Sequence, residues 1–114
     1  MFTIGNKCPL NGRLKLDRWL ERYPMCWICG IRTAHHAGHG ILNKGLVRNR
    51  KKHKLLDREE NLCPQCETCN LTIADSWENR NKMYNLKCDE MGEDVVNAWI
   101  DEVGLKISER FRRE

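Results

Sequence analysis

The sequence contains no run approaching the roughly 20 consecutive apolar residues that a membrane-spanning helix needs, and its mean hydropathy is -0.69. Its opening ten residues include Asn6, Lys7 and Pro9 and carry no apolar stretch of the kind that forms a secretory leader. The expectation is therefore a cytoplasmic chain with no membrane partner. Aromatic residues make up only 7% of 114 residues while 32% are charged. So small and polar a chain buries a modest apolar core, and such domains often depend on disulfides or a structural metal. Internal repeats and low-complexity tracts are also missing. So is the βαβ pattern that accompanies a redox-active C-x2-C pair, which sets a thiol oxidoreductase aside.

Cysteine, by contrast, is plentiful. Seven occur, an odd number, and five of them sit in two tight clusters. That distribution argues against a secreted disulfide scaffold and for thiolates on zinc in a reducing compartment. Cys26-Trp27-Ile28-Cys29 and Cys66-Glu67-Thr68-Cys69 are two C-x2-C pairs. Each presents two thiolates from one turn, and two pairs complete the tetrahedron that zinc prefers. Cys63-Pro64-Gln65-Cys66 has the same spacing, so Cys63 competes for the second half of the site. Cys8 and Cys88 lack a paired neighbour and read as small buried hydrophobes. A four-thiolate site leaves no open coordination position, so its metal would hold the fold and do no chemistry.

Periodicity predicts a single domain over 1–114, with an N-terminal helix at 10–23 ended by Pro24, a core at 24–80, and C-terminal helices at 81–110. Within the core, 33–42 reads as a short hairpin or loop relaxed by Gly38 and Gly40. A basic loop follows up to Leu55 and Leu56. A helix then begins within 61–70 and runs through Ile73 and Trp77 toward Leu86. Gly92 breaks the chain. The next stretch, Glu93–Val103, is amphipathic, with Val95, Val96, Trp99, Ile100 and Val103 on one face. Residues 109–114 read as a charged, frayed end.

Net charge is +4, and Lys44, Arg48, Arg50, Lys51, Lys52 and Lys54 fall within eleven residues without an acid among them. Such a run alone is a solvated loop; between two cysteine clusters it reads as a surface for phosphates, hence DNA. His53, inside it, reads as a phosphate contact or an exposed side chain. The segment Ala34-His35-His36-Ala37-Gly38-His39-Gly40 holds three of the four histidines within five residues. Either they enter a mixed Cys/His zinc site, or they serve chemistry. A histidine titrating near 6.5 can deprotonate water at neutral pH.

The order of these features (a C-x2-C pair, a histidine cluster, a basic loop, then Asn61-Leu62-Cys63-Pro64-Gln65-Cys66-Glu67-Thr68-Cys69-Asn70) resembles the HNH endonucleases. More narrowly, His36-Ala37-Gly38-His39, the 61–70 segment and the 92–99 helix are similar to phage NinG-type recombination nucleases, and more distantly to the endonuclease VII type of resolvase. The likeness covers 26–99. It implies a small α+β fold, a ββα-metal core stapled by a four-cysteine zinc site between flanking helices. It also implies a metal-dependent endonuclease that nicks DNA with weak sequence preference or by structure, leaving 5′-phosphate and 3′-hydroxyl ends.

By the same resemblance, a histidine of the cluster is the general base and a neighbour ligates a catalytic divalent metal. Asn61 fixes the loop carrying the base, and Asn70 is a second ligand, which favours Cys66 and Cys69 as the zinc pair. Two arrangements stay open: His35 as ligand with His36 as base, or His36 as ligand with His39 as base. No aspartate stands beside the histidines, so the nitrogen-rich site should accept manganese, nickel or zinc as well as magnesium. One such site cuts one strand, by either a monomer or a homodimer. The competing reading is a non-catalytic zinc-ribbon module that binds nucleic acid. It accounts for the cysteines and the basic loop, but leaves His35, His36, His39 and Asn70 without a task.

Overall fold

The computed structural model describes residues 13–104 and 107–114; Cys8 and the first residues of the expected N-terminal helix fall outside them. The remainder of that helix is α1, Arg13–Arg22. Two short strands follow, β1 at His36–His39 and β2 at Leu62–Gln65. They pair antiparallel, with His36 opposite Gln65, Ala37 opposite Pro64, Gly38 opposite Cys63 and His39 opposite Leu62. The segment 33–42 is therefore not a hairpin in itself: its strand pairs across the whole basic connection. A close approach makes this possible at Gly40, where a Cβ would strike the Cys63 side chain.

The basic stretch expected as a loop instead winds into a 3-10 helix, Arg50–Asp57, opened by Asn49, whose side chain accepts from the Lys51 N–H at 3.0 Å. Leu56 supplies the reason. It is fully buried, and the neighbouring Leu55 carbonyl accepts from Trp99 Nε1 at 2.9 Å. A short 3-10 turn, Glu59–Asn61, leads into β2.

The single helix expected after β2 is two helices, α2 at Glu67–Thr72 and α3 at Trp77–Met91. Ser76 caps the second, its Oγ accepting from Asn79 N at 3.1 Å, and an N-cap of this kind starts a new helix. Gly92, at φ +102°, ends α3 in a conformation that favours glycine. Helix α4 runs Glu93–Val103. Val96, Trp99, Ile100 and Val103 are buried as the periodicity requires, whereas Val95 lies off the stripe and is exposed.

The charged end is packed rather than frayed. Phe111 is buried and stacks on Tyr84 with ring centroids 5.0 Å apart. Asn81 and Asn85 hold Arg112 through its N–H and its carbonyl, each at 2.8 Å, and Arg113 reaches Asp89 at 2.6 Å.

The two faces of the sheet have different neighbours. Side chains alternate along a strand, so Ala37 and Leu62 share one face, where they pack with Leu16 and Trp19 of α1. The opposite face belongs to a larger cluster that includes Ile41, Leu42, Leu56, Cys63, Met83, Trp99 and Ile100. Lys87 of α3 is fully buried at its edge. Its Nζ lies 3.3 Å from Glu90 and 3.6 Å from Glu59, over the rings of Trp27 and Tyr23. Two carboxylates and two aromatic faces take the place of lost water, as a buried charge demands. No helix among the described residues is long and apolar enough to cross a membrane.

Candidate metal centre and histidine site

Cys26 and Cys29 lie just before β1, and Cys66 and Cys69 just after β2. The four Sγ atoms all fall within 4.8 Å of one another. Sulfurs held about 2.3 Å from a common centre, as in zinc tetrathiolates, sit within that limit, so the donor set fits a structural metal such as zinc.

The knuckles are built locally. Gly30, at φ +67°, turns the first one back, and its N–H donates to the Cys26 carbonyl at 2.9 Å. Cys29 Sγ accepts from the Arg32 N–H at 3.5 Å, and Cys66 Sγ accepts from the Cys69 N–H at 3.4 Å. Trp27 N donates to the Pro64 carbonyl at 2.9 Å, and Lys82 Nζ to the Ile28 carbonyl at 2.7 Å, seating the first knuckle against β2 and α3.

Cys63, the rival for the second pair, is not in the cluster. It is fully buried under Gly40, and burial pushes its thiol up to about 12. Strand alternation explains this: Cys63 points from β2 into the core three residues before Cys66 starts a helix. Cys88 is also buried, as expected of a small hydrophobe.

The backbone N–H groups of Arg32 and then Ile31 pull the Cys29 thiol down to about 6, whereas burial pushes Cys69 up to about 12. A thiol depressed below its ordinary value stabilises the fold above that ordinary value and loses this contribution as pH falls through its folded value. Metal held by such thiolates competes with protons for the same sulfurs. We therefore expect metal retention to be full near neutrality and to be lost on acidification as protons take the sulfurs. Released zinc, followed with a colorimetric chelator, measures it. Retention independent of pH down to strongly acidic conditions would contradict the assignment of these sulfurs as ligands.

The structure separates the three clustered histidines. His35 precedes β1, exposed, its N–H bonded to the Gln65 carbonyl at 3.0 Å. His36 opens β1 on the face away from α1, and its Nδ1 is buried with no hydrogen-bond partner. Burial lowers its affinity for a proton, against the opposing charge of Glu67, so the ring is neutral at pH 7. Its cross-strand neighbour Gln65 is also buried, and both atoms of its amide lack a partner. His39 ends the strand on the other face, its Nε2 2.9 Å from Asp57 Oδ1, both side chains nearly buried. His53 is turned inward, Nε2 donating to the Val47 carbonyl at 2.6 Å, and so presents no free ring to a phosphate.

Asn61 is fully buried and uses every hydrogen-bonding site it has. Its Oδ1 accepts from Ile41 N and Leu42 N, each at 2.9 Å. Its Nδ2 donates to the carbonyls of Leu42 and Leu56 at 2.8 and 2.9 Å. One side chain thus fixes the turn after His39 to the end of the 3-10 helix carrying Asp57. Arg80, also buried, donates to the Ile41 carbonyl at 3.1 Å and supports the same turn from α3. Asn70 is half-buried on α2, directly after Cys69 of the second knuckle.

Of the basic residues, Lys44, Arg48, Arg50, Lys51 and Lys54 are exposed. Lys52 instead donates to the Glu102 carbonyl at 3.0 Å. Asp57, Arg80 and Gln65 do not stand out in the sequence: an acid just past a basic run, an arginine on a helix and a glutamine between cysteines carry no local pattern.

No protein-family model matches this chain, and neither does any curated protein or solved structure.

Proposed function

We propose that the protein is a metal-dependent endonuclease of the HNH type that nicks DNA, with His39 as general base and His36 and Asn70 as holders of a divalent metal ion. The observation that carries this reading is the buried, unpartnered Nδ1 of His36. A buried polar atom without a partner calls for a water or an ion to satisfy it, and a neutral imidazole nitrogen is a good ligand for Mn2+, Ni2+ or Zn2+. The succession β1, long connection, β2, α2 is compatible with a ββα-metal core around it.

His39 Nε2 is held by Asp57. An ionised carboxylate only accepts, so the ring proton belongs on Nε2 and the Nδ1 lone pair is left to take a proton from water. The water oxygen then attacks phosphorus as the bond to the 3′ oxygen breaks. That oxygen leaves as a hydroxyl after taking up a proton, and the other product keeps a 5′-phosphate. A divalent ion, when bound, relieves charge on the phosphate and supports the leaving oxygen. Exposed Arg48, Arg50, Lys51 and Lys54 hold the phosphate backbone without reading sequence. The alternative assignment, His35 as ligand and His36 as base, asks an exposed ring to hold the metal and a buried nitrogen to move protons to solvent. Burial favours the first arrangement.

Supercoiled and branched DNA incubated with the zinc-loaded protein and Mn2+ or Mg2+ should be nicked, and EDTA should stop the reaction. His39→Ala should slow nicking about 100-fold, the usual contribution of a general base. Metal-dependent nicking left intact by both His39→Ala and His36→Ala would defeat this mechanism. An inert but DNA-binding protein would leave the zinc-ribbon reading standing.

A further inference from the structure

The buried side-chain atoms that lack a hydrogen-bond partner are, among the described residues, His36 Nδ1, Gln65 Oε1 and Gln65 Nε2. They are not scattered. His36 and Gln65 are direct cross-strand partners, so their side chains stand side by side on the same face of the sheet. Gln65 is 1% exposed, and leaving a buried carboxamide unpaired costs about 1–3 kcal/mol per group. A core position with that cost would be better filled by leucine unless something bonds to the amide.

The amide has a definite place. A Cβ built on Gly38 would run into its oxygen, then its carbon and nitrogen. The Gln65 carboxamide therefore occupies the space where a side chain at position 38 would be. That is one residue from His39 and two from His36. Glycine at 38 is what admits it.

We propose that Gln65 Oε1 is a ligand for a divalent cation, acting together with His36 Nδ1, so that β2 supplies a carbonyl-oxygen donor to a site otherwise held by β1 and α2. An amide oxygen suits Mn2+ and Mg2+, which prefer oxygen, while the imidazole tightens the site for Mn2+. The inference deepens the nuclease reading and draws its purpose from it, but cation binding is measured without reference to cleavage. The absence of an aspartate among the histidines then has a structural counterpart: the oxygen ligand comes from the neighbouring strand.

The test is a Mn2+ titration of the zinc-loaded full chain, followed by the loss of the free-ion EPR signal and by thermal unfolding with and without Mn2+. Wild type should take up one Mn2+ and melt higher with it. Gln65→Leu should weaken Mn2+ at least about tenfold, in the range seen when groups around a metal are lost. It should also melt higher than wild type when no Mn2+ is present, because an unpaired amide has been removed. Gln65→Glu, which keeps the volume and adds a hard anionic oxygen, should bind Mn2+ more tightly than wild type and melt lower without it.

Mn2+ affinity within about twofold of wild type in both variants, or no Mn2+ uptake by wild type, overturns the proposal, since loss of a ligand costs tenfold or more. A Gln65→Leu protein that melts lower and binds Mn2+ unchanged assigns the amide to a buried water instead and overturns it too. Should Mn2+ bind as expected while no DNA is nicked, the cation site stands and the nuclease reading falls.

Discussion

Replacing Cys66 by serine, or stripping metal with a chelator at neutral pH, will abolish the cooperative unfolding transition of this chain. The four sulfurs come from the chain leading into β1 and the chain leaving β2, within 4.8 Å of one another. Metal bound to such a set contributes about 10–16 kcal/mol. A small domain has a net stability of only about 5–15 kcal/mol. Losing the metal therefore removes as much free energy as the whole fold has to spare. Circular dichroism melts with parallel zinc analysis decide the matter. Cys63→Ala is the matched control: it leaves a small cavity, costing about 1 kcal/mol or somewhat more, but should retain zinc in full. A Cys66→Ser protein that melts cooperatively within a few degrees of wild type would show that the cluster is not the staple of this fold.

The second large effect belongs to Asn61. In Asn61→Ala, two backbone N–H groups and two carbonyls around the turn after β1 lose their partner at once. At about 1–3 kcal/mol for each buried group left unpaired, and allowing for water entering the gap, the loss should be about 4 kcal/mol in urea unfolding. Because the bonds converge on the turn that follows His39, the proposed metal-dependent nicking should be lost even at temperatures where the variant remains folded. Asn61→Asp keeps the acceptor for Ile41 and Leu42 but removes the donor to Leu42 and Leu56, so it should fall between wild type and alanine. Equal stability of wild type and Asn61→Ala would mean that the turn is held by Arg80 and the core alone.

The cysteine cluster was legible because its geometry is local: two residues between thiolates are enough to bring both sulfurs to one point. Helix α4 was legible because its apolar stripe repeats at the helical period. The strand His36–His39 was not. Two histidines around alanine and glycine show no apolar alternation, and its partner lies beyond the basic connection. The break between α2 and α3 rests on Ser76, a good cap that the continuing helical pattern hides.

The contacts that shape the histidine site bridge even longer gaps. His39 meets Asp57 across 18 residues, and Arg80 reaches Ile41 across 39; no pattern within a window reveals such pairs. Lys87 is the extreme case. A lysine on a helix reads as solvent-facing, and only the assembled environment of Glu59, Glu90, Trp27 and Tyr23 lets it stand in the interior.

The arrangement of fasteners around the sheet has a consequence for how such a chain can be altered. The cysteine knuckles clamp the outer ends of the two strands, and Asn61 with Arg80 clamps the turn after β1. The stretch from Asn43 to Lys54 is thus anchored at both of its roots and carries five exposed cations, Lys44, Arg48, Arg50, Lys51 and Lys54. Lengthening an anchored surface segment costs little, about 0.6 kcal/mol for each doubling. This exposed, cation-bearing part of the molecule can therefore be exchanged like a tool head. Under the proposed nuclease reading, its length and charge would set which DNA shapes are gripped, while the strands, the knuckles and the histidines beneath keep their registration.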